Sequence, residues 1–379
     1  MHILIAVLHR PTKPTGVCRH AANLALCLAN LSEVSQVTLV TGAWQRHYFE
    51  TTFALSSPKI KIIDVDIQNR SSTRNLWYLF GLPKLANQLC PDIVHLSFPL
   101  PFFRSRFSCP VVATIHDLYP YECPENFGRV QAIFNRLFLR QCITQSDGLT
   151  CVSQETLKLL KFFFPRNFSH KEVSVTYNLV DFSKVTPECP EIFKNRENFA
   201  FLLSVAQHRK NKNLDILIQT FAELLRSGKL NQDVELILVG SPGPETDSLQ
   251  QQVEDLQLKS QVRFLSSISD QQLSWLYQHA LLYVVASSTE GFCLPLAEAL
   301  HLGCQAVCSD IPILREISAD NCTYFNLQKD AANNLGQAII TAIHQPNNSQ
   351  ANRDLRFSQA TIASQYFKLY SNIAKKQAQ

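Results

Sequence analysis

Short apolar runs alternate with longer amphipathic stretches along the whole chain. The runs predict strands over 2–8, 36–41, 60–65, 92–97, 110–115 and 148–152, with helices over 17–31, 74–88, 129–145 and 154–164 between them. A second series starts near Asn198. Its strands are expected at 199–205, 234–240, 261–265, 281–286 and 305–310, and its helices at about 214–227, 246–258, 270–279 and 294–302. Such alternation is the signature of parallel α/β layers. Between the series, Asp181–Glu197 holds two prolines and many polar residues and reads as a linker. The tail is expected to hold a helix near 330–344, a polar loop Pro346–Ser349 and a last helix from about Ser358. In that helix Ile362, Tyr366, Tyr370 and Ile373 recur at helical spacing and need a surface to pack on. The pattern predicts two Rossmann-like domains in tandem, 1–190 and 191–350, facing across a cleft. Residues 351–379 form a C-terminal helix expected to pack back towards the first domain.

Composition agrees with this. A chain of 379 residues suffices for two ordinary domains, and 46% apolar residues allow packed cores. The 12 cysteines show no CxxC pairing, so no disulfide framework or zinc site is indicated. The run Met1–Leu8 is too short for a membrane span and lacks a basic leader, and a cytoplasmic protein is expected. The net charge of +4 is uneven: residues 1–190 carry 19 Lys/Arg against 13 Asp/Glu, and the rest 16 against 18. That excess is too dilute for nucleic acid and suits an acidic acceptor or a membrane surface. Phe102–Phe107 and Lys161–Arg166 mix aromatics with cations. This suggests peripheral contact with the inner membrane face, although core packing with snorkelling cations is the commoner meaning.

The candidate chemistry is densest near residue 290. Glu290 and Glu298 lie between a buried strand, Leu281–Ala286, and a helix ended by Gly303. Pro295 suits the first helical position, which would put Glu298 in the first turn and Gly291 in the loop facing the site. Free N–H groups at a helix start favour an anion, and two carboxylates beside it favour hydroxyl-rich groups. A phosphate carrying sugars meets both demands. After the first strand of the second series, Ser204–Asn213 concentrates Arg209, Lys210 and Lys212, where a diphosphate would need countercharge. Such a run alone reads as solvated surface; the Glu290 loop in the same domain gives it functional weight. His116, just past the strand ending at Ile115, either donates a hydrogen bond to a substrate, carries a proton, or caps a turn. Glycine is scarce, at 11 residues, so Gly16 and Gly291, each just after a strand, mark places of close backbone approach to a ligand.

These residues together resemble the retaining nucleotide-sugar glycosyltransferases of the GT-B fold, family 4. The match is densest from Phe264 to Glu316, with the block EGFCLPLAE from Glu290 to Glu298 at its centre. It extends through Arg209–Leu214, Leu238–Gly240, His116–Leu118, Val152–Glu155 and the Gly16 loop. The resemblance implies that Glu290 contacts the transferred sugar and Glu298 the ribose hydroxyls. It implies that the backbone of Gly291, Phe292, Cys293 and Leu294 cradles sugar and phosphate. Arg209 and Lys212 would neutralise the diphosphate, His116 would face the donor sugar, and Ile268 would touch the base. The donor would be UDP- or GDP-linked, and the acceptor a sugar, glycolipid or polysaccharide, with no cofactor and no metal. Asp64-Val-Asp66, like the metal-binding pair of other sugar transferases, lies inside an apolar run and reads as structural. The chain departs from the family pattern in four places. Cys293 replaces the second glycine of Gly-Phe-Gly, Gly16 stands where relatives often have a glycine pair, Leu179 replaces a glycine, and the usual arginine position aligns with Gln207. Competing readings are a nucleotide-sugar epimerase, a glycoside phosphorylase or a non-catalytic sugar-nucleotide binder on the same fold. A glycosidase fits least, because its carboxylates must face each other across a bond.

Overall fold

The computed structural model describes residues 1–10, 12, 15–53, 55–124, 127–166, 171–194, 196, 200–345 and 354–377. The chain divides into two compact units, Met1–Leu179 with Leu355–Gln379, and Val180–Asp354. Both are parallel α/β structures.

In the first unit the strands are β1 (His2–Ala6), β2 (Gln36–Gly42), β3 (Ile60–Val65), β4 (Ile93–Leu96), β5 (Val111–Ile115), β6 (Gly148–Cys151) and β7 (Glu172–Val175). They pair in parallel in the order β3-β2-β1-β4-β5-β6-β7, a doubly wound arrangement. The central strands are apolar without alternation because helices cover both faces. β7 was not legible: its residues Glu-Val-Ser-Val are all half-buried at a sheet edge, so no apolar run announces it. The helix expected over 74–88 is instead Ser71–Leu76 and Leu82–Leu89, joined by a π-helical turn, Trp77–Gly81. There Gly81 leaves room for the Trp77 ring, which a β-carbon would meet at 2.4 Å.

The last helix, Gln359–Gln377, belongs to this unit. Ile362, Tyr366, Leu369, Tyr370 and Ile373 enter its core beside helix Gly16–Ala29. Gly148 makes room for Ile373, whose Cδ1 a β-carbon would meet at 2.3 Å. Polar contacts reinforce the packing. Tyr370 Oη is 3.0 Å from His95 Nδ1, and His95 Nε2 is 2.9 Å from Thr114 Oγ1. Thr114 lies 3.3 Å from His20 Nε2, and His20 Nδ1 donates to Asn178 Oδ1 at 2.9 Å. The polar loop expected at Pro346–Ser349 lies outside the described residues.

The second unit has β8 (Phe201–Val205), β9 (Glu235–Val239), β10 (Val262–Leu265), β11 (Leu282–Val285), β12 (Ala306–Ser309) and β13 (Thr323–Phe325). Their order is β10-β9-β8-β11-β12-β13, all parallel. β13, three residues long, was not legible as an apolar run, nor was the short helix Pro312–Ser318. The stretch read as a linker packs on this unit. Glu188 N donates to Gln271 O at 3.0 Å, and Phe193 stacks near Phe201 and Trp275. Its two aromatic residues, Phe182 and Phe193, stand on either side of the prolines, and so few contacts hide the packing from a composition-based reading.

The histidines of the first unit set its acid response. Burial pushes His95 down to about 3 and His9 to about 4, and it holds His20 well below the ordinary imidazole range. The unfolded chain therefore takes up protons below about pH 6.5 that the folded chain refuses until about pH 4. Stability should be full above about pH 6.5 and fall as the pH drops through that window. Melting temperature measured from neutral pH down to about pH 5, above most carboxylate titration, should decline, and less steeply in His95→Gln. A flat profile in the parent chain would refute this.

Candidate active site

In the second sheet β8 and β11 are neighbours although β9 and β10 lie between them in sequence. This is the topological switch point, where the loops leaving the carboxyl ends of adjacent strands diverge and ligands bind. The two loops are residues 206–213 and 286–293.

Asparagines clasp them together. Asn211 Nδ2 donates to Thr289 O at 3.1 Å, and Asn211 O accepts from Ser288 N at 2.8 Å. Asn213 Nδ2 donates to Ala286 O at 2.7 Å. Asn213 has φ 49°, a left-handed conformation that asparagine tolerates better than most residues. On this clasp Lys212 Nζ lies 2.6 Å from Glu290 Oε1, with the side chains only 14% and 9% exposed. The same oxygen accepts from Ser287 Oγ at 2.7 Å, and Ser287 O accepts from Ser309 Oγ at 2.5 Å. Lys210 points outward to Asp215 at 3.8 Å, both largely exposed. Arg209 is half-buried and makes no ion pair among the described residues.

A second pair of loops supports the first. A β-carbon on Gly240 would meet Ala206 O at 1.9 Å, and one on Gly243 would meet His208 O at 2.3 Å. Both glycines are thus demanded by the loop at 206–209. His208 is buried, with Nδ1 2.9 Å from Thr246 Oγ1, and Nε2 finds no partner.

The helix after the Glu290 loop is Leu294–His301, so Pro295 occupies its second position rather than its first. Glu298 consequently lies beyond the first turn, where sequence reasoning had placed it. It is buried, and its Oε2 accepts from Tyr277 Oη at 3.1 Å. Tyr277 is fully buried, and burial with the neighbouring Glu298 holds its hydroxyl protonated. Gly291, Phe292 and Cys293 are buried, and Leu294 is half-buried. Cys293 has φ 66° and ψ 63°, the left-handed region, which costs a residue with a β-carbon about 1–2 kcal/mol. Burial raises its thiol well above the ordinary range, so it is no nucleophile at neutral pH. Ile268 is half-buried in the loop between β10 and the capped helix Asp270–His279.

Gly16 and His116 belong to the first unit. Gly16 opens its helix, exposed; a β-carbon there would meet nothing within 4 Å, and its φ is not positive. No feature of the fold demands glycine at that position. His116 donates Nε2–H to Ser97 O at 2.8 Å and packs edge-on against His20, with centroids 4.7 Å apart. Desolvation pushes it down to about 4, so the ring is neutral and Nδ1 is an acceptor. With Nε2–H committed to Ser97 O, only Nδ1 is left to face a ligand. Asp64 accepts from Thr41 Oγ1 at 3.1 Å and pairs with Arg46 at 2.5 Å.

Sequence reasoning missed Ser287, Asn211, Asn213 and Tyr277. The signal for the asparagines was present in Lys210-Asn-Lys-Asn213, where amide side chains alternate with the cations.

Two doubly wound units, with carboxylates and cations gathered at the switch point of the second, define a GT-B glycosyltransferase. The chain belongs to the group 1 glycosyltransferases. The family model "Glycosyl transferases group 1" matches residues 186–361, and "Glycosyltransferase Family 4" matches 14–184. The O-antigen chain mannosyltransferase RfbU of Salmonella typhimurium is 26% identical over 323 residues, covering 82% of this chain and 83% of that protein. O-antigen chain mannosyltransferase B of Escherichia coli is 27% identical over 231 residues, covering 59% and 58%. Among solved structures, the lipopolysaccharide glycosyltransferase WaaG matches with TM-score 0.68 at 19% identity, over 99% of this chain and 98% of that one. Anabaena HepE in complex with UDP and glucose matches with TM-score 0.65 at 19% identity, over 100% and 99%.

Removing one member of the buried pair leaves the other charge uncompensated. Lys212→Ala should destabilise the protein by about 3 kcal/mol. In a double-mutant cycle Lys212→Ala and Glu290→Ala should be non-additive, with a coupling of about 1–3 kcal/mol. Denaturant titrations giving additive losses would show that the contact is energetically idle.

Proposed function

We propose that the chain is a retaining hexosyltransferase. It moves a mannose- or glucose-type sugar from a nucleoside diphosphate to an acceptor hydroxyl in polysaccharide or glycolipid synthesis. The carrying observation is the Lys212–Glu290 contact at the switch point of the second sheet, with Glu298 buried in the helix that follows. It joins a cation for the leaving phosphate to a carboxylate for the sugar. The mannosyltransferase relatives favour transfer to an acceptor over epimerisation or simple binding.

As the bond from C1 of the sugar to the phosphate oxygen breaks, the diphosphate gains negative charge. Arg209 is the better placed of the two upstream cations to meet it, because Lys210 is turned outward to Asp215. Lys212 has three N–H donors and gives one to Glu290, which leaves two for phosphate oxygens. These fixed cations, with the start of helix Leu294–His301, supply the countercharge without a resident metal. Glu290 accepts from sugar hydroxyls, and Glu298 serves the ribose. Neutral His116 accepts a hydroxyl of the donor sugar at Nδ1. The acceptor oxygen attacks C1 on the face the phosphate leaves, and its proton passes to that phosphate. Configuration at C1 is thereby retained. The backbone of Gly291, Phe292, Cys293 and Leu294 lines the sugar and phosphate, Gly16 admits the donor closely, and Ile268 lies against the base.

A panel of UDP- and GDP-sugars screened by thermal shift should yield one donor that raises the melting temperature. With it, Glu290→Ala should lower turnover by about a hundredfold or more while donor affinity changes much less. Arg209→Ala should weaken both. Parental turnover in purified, folded Glu290→Ala would sink the assignment.

A further inference from the structure

Helix Arg129–Gln145 presents an apolar stripe to solvent. Val130 is 68% exposed, Ile133 58%, Phe134 50% and Leu137 55%. These four large side chains recur at the i, i+3, i+4, i+7 spacing of one helical face. Arg129, Arg136 and Arg140 recur at i, i+7, i+11 and fall along one edge of that stripe; Arg129 and Arg140 are exposed, whereas Arg136 is half-buried and its Nε donates to Pro120 O at 2.6 Å. The helix contains no aspartate or glutamate. Its inner side is not spare surface. Ala132, Leu139, Cys142 and Ile143 are buried, and Asn135, Phe138 and Leu139 line a cavity of about 200 Å3 that His116 and Asp117 also line.

A neighbouring element extends the cationic and aromatic character. Tyr121 donates to Arg136 O, its ring centroid lies 5.4 Å from the Arg136 guanidinium carbon, and its ring lies tilted against Phe163 with centroids 5.1 Å apart. Phe162 beside it is 74% exposed. Between Arg129 and Arg166 there are six Lys or Arg against two Asp or Glu, an excess equal to that of the entire chain. Leaving four large apolar side chains in water is unfavourable, and a stripe of this kind usually has an occupant.

We infer that this helix is an interfacial docking face for an anionic lipid bilayer, its apolar stripe entering the headgroup boundary and its exposed arginines, Arg129 and Arg140, pairing with lipid phosphates. The arrangement of apolar residues beside a cationic edge is the one such a surface rewards. A second copy of the chain would bring three more arginines to the contact and no carboxylate from this helix. An uncharged apolar partner would leave the arginine edge unused. Among the described residues no helix is long and apolar enough to cross a membrane, so the contact is peripheral. With the opposite side of the same helix lining the His116 cavity, docking would bring that cavity next to the lipid phase. The inference concerns binding alone and stands apart from the transfer reaction.

The test is co-sedimentation of the full chain with phosphatidylcholine vesicles with and without phosphatidylglycerol. Binding is expected only with the anionic lipid, and it should weaken as salt rises. Ile133→Gln with Leu137→Gln should weaken it more than about tenfold, and Arg140→Gln about fivefold, with circular dichroism unchanged. All three positions are solvent-facing or at the edge of the stripe, so the fold should tolerate them. The inference is overturned by absence of binding to anionic vesicles, by binding that the variants do not alter, or by equal binding to neutral vesicles. It is equally overturned if the parent forms a dimer in ultracentrifugation that Ile133→Gln with Leu137→Gln dissociates, since the stripe would then be a self-contact.

Discussion

The contact between Lys212 and Glu290 is the constraint around which the second unit's loops are arranged. Two opposite charges, each mostly withdrawn from water, cost several kcal/mol to desolvate, and their attraction recovers that only when the surroundings are polar and fixed. The sequence supplies such surroundings from both sides. Asn211 and Asn213 bind the backbone of the opposite loop, and Ser287 shares the Glu290 oxygen that Lys212 holds. A pair of apolar residues would stabilise the seam as well or better, so the ion pair is best understood through what it offers a ligand. It places an acceptor and a donor a hydrogen bond apart at the one point where the sheet's strand order reverses.

The first unit solves a different problem with different means. Its core contains imidazoles and phenols, which carry hydrogen-bonding groups into a closely packed interior. Each must be paired there, and His20, His95, Thr114, Tyr366 and Tyr370 pair largely with one another. The network ties the final helix to β4 and β5 across a sequence separation of more than 250 residues. Burial also keeps His20 neutral beside the neutral ring of His116 at the end of β5.

Much of this was legible beforehand. Eleven strands announced themselves as apolar runs, nine of them central parallel strands buried on both faces, and the two that did not, β7 and β13, each lie at one edge of their sheet. The two loops of the switch point were legible because charge and glycine gather just after strands. Depth was not: nothing in the spacing of Glu290 and Glu298 reveals that the helix begins at Leu294, which carries Glu298 past the first turn and against Tyr277. Nor could composition separate a free linker from Val180–Lys194, whose attachment rests on single residues such as Phe193. Hydroxyl and amide side chains such as Ser287 and Asn211 are common everywhere, and only the register of the two loops gives them a partner.

Gly16 and Cys293 show how far backbone conformation alone can be trusted as a guide to function. At Gly16 the fold would accept a β-carbon without contact or strain among the described residues. At Cys293 the backbone is left-handed and would favour glycine, yet a side chain is present and buried among Glu290, Tyr283 and the start of the helix. The strain of that conformation is held by packing, since the thiol fills space that glycine would leave vacant. A side chain that the backbone resists fixes the shape of the loop, and here that loop carries Glu290.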